Sequence, residues 1–394
     1  MHDLIERAMD AATGSGASYA DCRIVEHQAE SLTVKNGSLA TASGNRSAGF
    51  GVRVLVDGAW GFASSRDLAP AETERVARLA VAIARASRLA GGPPVVLDDT
   101  PPAHGHWGTP YVEDPFRVPL EEKLRILFAA DAAMGREPGI SVREATIEAS
   151  RDRKLFGSSQ GARLEQDIVA CGAGIVATAV NDNETQERSY PKSLGGQVVG
   201  GGFEAIRDMD LPGHGQRIAE EAVALLTAPQ CPSGEMTVIL EASQVALQVH
   251  ESCGHPTELD RVLGMEASFA GTSFLTVDRL DRFRYGSHIV NIDADATAPG
   301  GLGTFGWDDE GVPAQNVPLV SAGHFVGYLT SRETAPVIGR RSMGSSRAAS
   351  WRNLPLIRMT NVSLRPGDAG SLDDLIADTD NGILLGANRS WSID

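Results

Sequence analysis

Several features are scarce in this 394-residue chain, and each scarcity closes off a class of function. Cationic side chains are outnumbered, with 35 Lys and Arg against 51 Asp and Glu and a formal net charge of −16, so no broad basic surface is available for a nucleic acid. Cysteine is sparse. Cys22, Cys171, Cys231 and Cys253 stand without paired spacing, which argues against a disulfide framework and for reduced thiols in a cytoplasmic protein. Long hydrophobic runs are missing, and Asp3, Glu6, Arg7 and Asp10 occupy the stretch where a signal peptide needs apolar residues, so neither a membrane span nor export is expected. No Gly-x-Ser-x-Gly elbow occurs with defensible triad partners. The glycine-rich run 195–202 lacks the Gly-Lys-Ser/Thr ending of a phosphate loop and the dinucleotide spacing, and reads as a loop or close backbone packing.

What the chain does have is His250-Glu251-Ser252-Cys253-Gly254-His255, two imidazoles and a carboxylate within six residues. Neutral imidazole nitrogens can hold a metal ion, and a nearby carboxylate can take a proton from its water. The two histidines are five apart, about 140° round an ideal helix, so a regular α-helix would aim them badly. A π-type bulge, or a helix that loosens at Gly254, would bring both rings to one ion. Met236 to Glu241 reads as a buried strand, Ser243 as an N-cap, Val245, Leu247 and Val249 as the apolar face of a helix, and Pro256 as its end. The bland alternative is two unrelated histidines with Glu251 on a solvated face.

The residues 250–261, HESCGHPTELDR, resemble the HExxxH segment of the TldD/PmbA family of metallopeptidases, once also described as modulators of DNA gyrase. GLGTFGWDDEGVPAQ (301–315), YLTSRETA (328–335) and RMTN (358–361) resemble that family's C-terminal domain, and GVRVLVDGAWGFAS (51–64) its N-terminal domain. The resemblance implies a zinc-dependent peptidase acting on peptides, with His250 and His255 as zinc ligands and Glu251 as general base. It also implies dimers, either of one chain or pairing a motif-bearing subunit with a motif-lacking relative, and this chain bears the motif. The family's third ligand is a cysteine beyond the stretch resembling Leu384 to Asp394, and no cysteine follows Cys253. The expectation is therefore a C-terminally truncated member, a lost ligand or a replacement. Glu258 is the candidate substitute ligand, or else a group that orients a ligand from behind. Cys253 reads as a packing residue. With its site incomplete, the chain would instead be a non-catalytic scaffold or partner subunit.

The expected fold class is α+β, with N-terminal antiparallel hairpins and helices followed by a β-rich C-terminal domain carrying the metal-motif helix. Residues 1–90 form an α+β unit with hairpin turns at Asn36-Gly37 and Asp57-Gly58, 91–119 a proline-rich linker, 120–230 a central α+β unit and 231–394 the metallopeptidase domain. Strands are expected at Cys22–Glu26, Ser31–Lys35, Val142–Ala149, Lys154–Ser158, Arg163–Gly172, Gly174–Asn181, Ile289–Asp293, Val317–Val320 and Phe325–Leu329. The stretch Gly382 to Ile393 reads as a last strand whose uncovered edge, with Trp391 and Ile393, associates with a partner. His104, His106, His214 and His324 fall in apparent loops. Asp293, Asp295, Asp308, Asp309 and Glu310 read as solvated loop acids rather than a calcium site. Arg332 with Glu333, and Arg358 with Asn361, suit either a substrate contact or a structural salt bridge.

Overall fold

Two tight turns set the register of the N-terminal half. Asn36-Gly37 and Asp57-Gly58 both carry positive φ at their two central residues (48° and 75°, 49° and 75°), the geometry whose twist matches that of the flanking strands. The computed structural model describes residues 1–193 and 195–388. The chain runs through α1 (His2–Gly14), β1 (Tyr19–Lys35), β2 (Ser38–Val56), β3 (Ala59–Ser65), α2 (Pro70–Arg88), β4 (His104–Gly108), α3 (Leu120–Met134), β5 (Ile140–Ser158), β6 (Arg163–Val180), β7 (Thr185–Tyr190), β8 (Gln197–Gly200), α4 (Glu204–Asp208) and α5 (Leu211–Leu225).

Several pairs of expected strands are single long strands. Cys22–Glu26 and Ser31–Lys35 belong to the 17-residue β1, Val142–Ala149 and Lys154–Ser158 to β5, and Arg163–Gly172 and Gly174–Asn181 to β6. In β1 and β5 the polar residues between the apolar runs hold no turn-forming glycine or proline, and β1 is paired along both edges, so nothing breaks the ladder there. Gly172 and Gly174 of β6 instead let β8 and the Gly195-Gly196 backbone press close, since a Cβ at either would overlap that backbone.

These strands form one sheet in the order β3-β2-β1-β5-β6-β4, with β8 and β7 following β4 along the same edge of β6. All pairings are antiparallel except β4 with β6. The sheet therefore runs unbroken from the first hairpins into the strands of residues 140–200, joined where β1 pairs with β5. The segment 91–119 is less irregular than expected, because β4 lies within it and gives His104 and His106 strand positions.

Alternating side chains decide what each sheet face does. Ile24, Leu32 and Val34 of β1, with Ile147 and Ala149 of β5, share one face. There α1 and α2 cover Ile24, Phe50 and Val52, while α3 and α5 cover Leu32, Val34, Ile147 and Ile175. The opposite face presents Arg23, Arg53, Lys154 and Gln166 to the C-terminal half.

That half contains β9 (Thr237–Leu240), α6 (Ala242–Val249), α7 (Leu259–Val262), α8 (Ala267–Ala270), β10 (Ile292–Asp295), β11 (Asn316–Ser321), β12 (His324–Phe325), β13 (Ser346–Arg347), β14 (Leu356–Ile357), β15 (Asn361–Leu364), α9 (Leu372–Ala377) and β16 (Gly382–Leu385). An antiparallel sheet β12-β11-β10-β15 packs Ile292, Val317, Leu319 and Phe325, with Tyr328 just past β12, into one core with Val249 and Cys253 of the motif segment. The architecture is α+β, with antiparallel sheets predominating and the motif helix in the β-rich half.

Several expectations need correction. Asp308, Asp309 and Glu310 are not solvated: all three are less than 5% exposed. Arg53 donates to Asp21 (2.7 Å) and Glu310 (2.7 Å), Lys154 and Arg23 reach Asp309 (3.2 and 3.5 Å), and Asp308 accepts from the backbone N–H groups of Glu310, Val312 and Ser346. Asp293 is buried too, beside Arg365. A local acidic run reveals charge but not a cation 257 positions away. Arg332 belongs to the same structural class, donating to buried Asp98 at 3.0 Å. The strand β9 is largely exposed rather than buried, pairing in parallel with β16. Ser243 does not cap α6, which starts one residue earlier after an extended Glu241. Only Phe325 of the expected Phe325–Leu329 strand is in β12. Trp391 and Ile393 lie outside the described residues, as do Ser390 and the rest of 389–394.

Candidate metal centre

The motif helix does not stay α-helical. After α6 the backbone widens into a π-turn, His250–Gly254, in which the His255 N–H bonds the His250 carbonyl five residues back. A 3₁₀ turn, His255–Thr257, follows, with Pro256 at its start. The extra residue turns the two imidazoles to the same side: their ring centroids are 4.8 Å apart with planes at 88°. Ligand atoms of His250, Glu251 and His255 all lie within 4.8 Å of one another, and no other such trio occurs among the described residues.

The π-turn is held by its buried side. Cys253 is fully buried in the C-terminal core, and burial pushes its thiol up to about 12, which keeps it protonated and apolar. Tyr285 donates its hydroxyl to the Ser252 carbonyl (2.7 Å), and Thr257 donates to that of Gly254 (2.8 Å). Gly254 packs on Met359 so closely that a Cβ would overlap the thioether. His250 and Glu251 stay accessible on the other side.

Behind His255 stands Glu258, fully buried, whose Oε2 is 2.9 Å from His255 Nδ1. Arg261 donates to the same oxygen (2.9 Å) and to the Ala270 carbonyl (2.6 Å), so the carboxylate is itself fixed. An imidazole that donates Nδ1–H to a carboxylate leaves Nε2 as its free lone pair, the tautomer a metal requires. Glu258 thus sits at the rear of His255 and is not one of the three converging groups. His250, half exposed, has its pKa lowered first by partial desolvation and then by neighbouring His255, which favours the neutral form that ligates. Two imidazoles, beside a carboxylate placed either to ligate or to take a proton from bound water, are chemistry that fits zinc.

A cleft of about 1070 Å³ lies between the bare face of the large sheet and the C-terminal half; His250, Glu251 and His255 are not among its lining residues. Its walls include Trp107, Trp307 and Phe269, together with Arg347 and Arg358. Arg358 is flanked by residues that pack on the motif: Ile357 donates its N–H to Asp260, and Met359 lies on Gly254. Of the other expected histidines, His104 and His106 are exposed on β4, His214 stacks on Tyr190 (3.9 Å) and His324 lies in β12. Asn361 is structural, bridging Gly303, Thr304 and Asp295. Arg261 and Arg347 were not singled out from sequence. For Arg261 a signal existed, since it stands three residues after Glu258 on one helical face; for Arg347 none did.

Three family models match the chain: PmbA/TldA metallopeptidase domain 1 over residues 20–89, the central domain over 113–226 and the C-terminal domain over 233–392. A metalloprotease of Methanocaldococcus jannaschii is 31% identical over 95% of this chain and 79% of its own length. A zinc metalloprotease TldD homolog of Saccharolobus solfataricus is 25% identical, covering 94% of this chain and 77% of the relative. Among solved structures, a putative modulator of a DNA gyrase from Thermotoga maritima superposes with a TM-score of 0.78 at 20% identity, over 98% of this chain and 82% of that one. TldE from Thermococcus kodakarensis superposes with a TM-score of 0.75 at 16% identity, over 99% and 83%.

Proposed function

Since the chain belongs to the PmbA/TldD metallopeptidase family, we propose that it is a zinc-dependent peptidase that hydrolyses short or unstructured peptides, with His250 and His255 as zinc ligands and Glu251 as general base. The observation that carries the reading is the π-turn, which gathers these three groups within 4.8 Å while Glu258 fixes His255 from behind. Zinc bound there would supply Lewis acidity and lower the pKa of its water. The chain's own residues do the rest. His255 is oriented by the Glu258–Arg261 pair, and His250 is kept neutral. Glu251, one residue along the turn and partly exposed, takes a proton from water at its carboxylate and returns it to the leaving amine. A zinc relative's name and the donor chemistry support the metal; the exposed side of the π-turn supports access for a peptide.

A second reading has its own support. With Glu251 as base, only two of the converging groups remain as ligands, whereas catalytic zinc takes three from protein, so the chain could be a non-catalytic partner subunit. In both readings we place it in the cytoplasm, with cysteines unpaired, in a homodimer or a heterodimer with a motif-lacking relative; one structural neighbour is named TldE. No described helix is long and apolar enough to cross a membrane. We take 1–90, 91–119, 120–230 and 231–394 as its units. Elemental analysis of the purified protein should find about one zinc per chain, and none in His250→Ala or His255→Ala. Equal zinc in all three proteins would remove the site assignment, and zinc lost only in Cys253→Ser would move it to the thiol.

A further inference from the structure

Two arginines line the large cleft with few direct partners of their own. Arg347 is mostly buried, forms no salt bridge among the described residues, donates one N–H to the Met359 carbonyl, and leaves its Nε buried without a partner. Burial first works against its protonated form; Asp309, Glu258 and Asp308 favour the charge from a distance, and Arg358 opposes it. Arg358 meets one carboxylate, Glu266, at a loose 3.5 Å, and is more than a third exposed to the cleft. The other acids nearby are engaged elsewhere: Asp152 meets His27, and Glu258 holds His255 and Arg261. Asp309 serves Lys154 and Arg23, and Asp308 accepts three backbone N–H groups. A buried guanidinium that no carboxylate touches directly and whose Nε has no partner among the described residues, beside a second one held only loosely, is an arrangement that an incoming carboxylate satisfies by charge-assisted, fork-shaped hydrogen bonds. Trp107, Trp307 and Phe269 supply apolar walls on which the rest of a bound chain can lie.

From this we infer that Arg347 and Arg358 form a carboxylate-binding subsite, so that the substrates are peptides carrying a free C-terminal carboxylate or an Asp or Glu side chain one or a few residues from the scissile bond. The inference rests on the peptidase reading for what is cut, but not for what is bound. Its place follows from the chain itself, because Ile357 and Met359 on either side of Arg358 pack against the motif segment. A carboxylate seated there would hold the peptide against the strand segment that packs on Gly254 and Asp260 of the motif. Arg347 and Arg358 are positioning and specificity residues, and no reacting atom need touch them.

The test separates binding from cleavage. Three N-acetylated alanine pentapeptides are titrated against the full chain and its Glu251→Gln variant, following the fluorescence of the cleft tryptophans: one with a free C-terminus, one amidated, and one amidated with an internal Glu. Tighter binding by tenfold or more is expected for at least one carboxylate peptide over the neutral amide. Arg358→Gln should abolish that preference, Arg358→Lys should restore only part of it, and raising the salt should shrink it. Preference for the free acid alone assigns the C-terminus, and preference for the Glu peptide assigns the side chain. Equal binding of all three peptides, or a preference that survives both Arg347→Gln and Arg358→Gln in variants with unchanged circular dichroism, overturns the subsite. Discrimination without zinc-dependent cleavage would keep the subsite and remove the peptidase reading; cleavage without discrimination would do the reverse.

Discussion

Glu258 shows how one buried carboxylate can matter without touching a metal. It holds His255 at Nδ1 and is held in turn by Arg261, so the ring's orientation is fixed before anything binds. Glu258→Gln should weaken zinc binding by roughly ten- to a hundredfold, the usual cost of losing such a support, and chelator competition would measure it. Unchanged affinity would demote Glu258 to a packing residue. Glu251→Gln should behave oppositely, keeping the zinc while hydrolysis of short peptides falls by about a hundredfold or more. Zinc lost together with activity would make Glu251 the third ligand and leave the base unassigned. At this scale the sequence was most informative. His250, Glu251 and His255 stood out through residue type and spacing, and Glu258 through its place three residues on. Arg347 carried no local signal, because what makes it unusual, a buried Nε without a partner among the described residues, exists only in three dimensions.

The π-turn is the element on which the site depends, and its need could be read from a single number, the five-residue spacing. Its stabilisation could not, since Tyr285 and Met359 reach it from far along the chain. Gly254 is the position where this is testable. Its φ of −55° is ordinary, so the glycine is required by space and not by backbone conformation. Gly254→Ala would drive a methyl into Met359 and either lever the turn open or push the thioether away, at a cost of about 1–3 kcal/mol. The expected outcome is a lower melting temperature together with reduced zinc, and Met359→Ala in the same chain should recover much of both. Full zinc in Gly254→Ala alone would show that the turn tolerates the strain. The hairpin turns, by contrast, were legible because Asn-Gly and Asp-Gly name their own turn geometry, although the strands they join run longer than the apolar runs beside them.

The whole molecule is held together by charges that sequence reading assigned to solvent. Arg53 on the large sheet bridges Asp21 of its own sheet and Glu310 of the C-terminal half, and Arg23 and Lys154 meet Asp309 alongside. Replacing Arg53 by Met would leave two buried carboxylates facing each other without a cation, a loss of about 3–5 kcal/mol. Because the pair spans the two halves, urea unfolding should not merely shift but separate into two transitions. A single transition displaced by less than about 1 kcal/mol would show that apolar contacts couple the halves without it. The pH dependence supplies an independent check. Burial alone would raise the Asp309 carboxyl, but Lys154 and Arg23 outweigh it and hold it below its ordinary value. A carboxylate depressed in the folded state contributes stability that is complete above its unfolded value, near 3.9, and is lost as pH falls through the folded one. The destabilisation caused by Lys154→Met should therefore be largest at neutral pH and shrink below about pH 4, where the unfolded carboxyl is already protonated. A destabilisation that stayed constant from pH 7 to pH 3.5 would mean that Lys154 acts through packing, and that Arg23 alone sets the charge of Asp309.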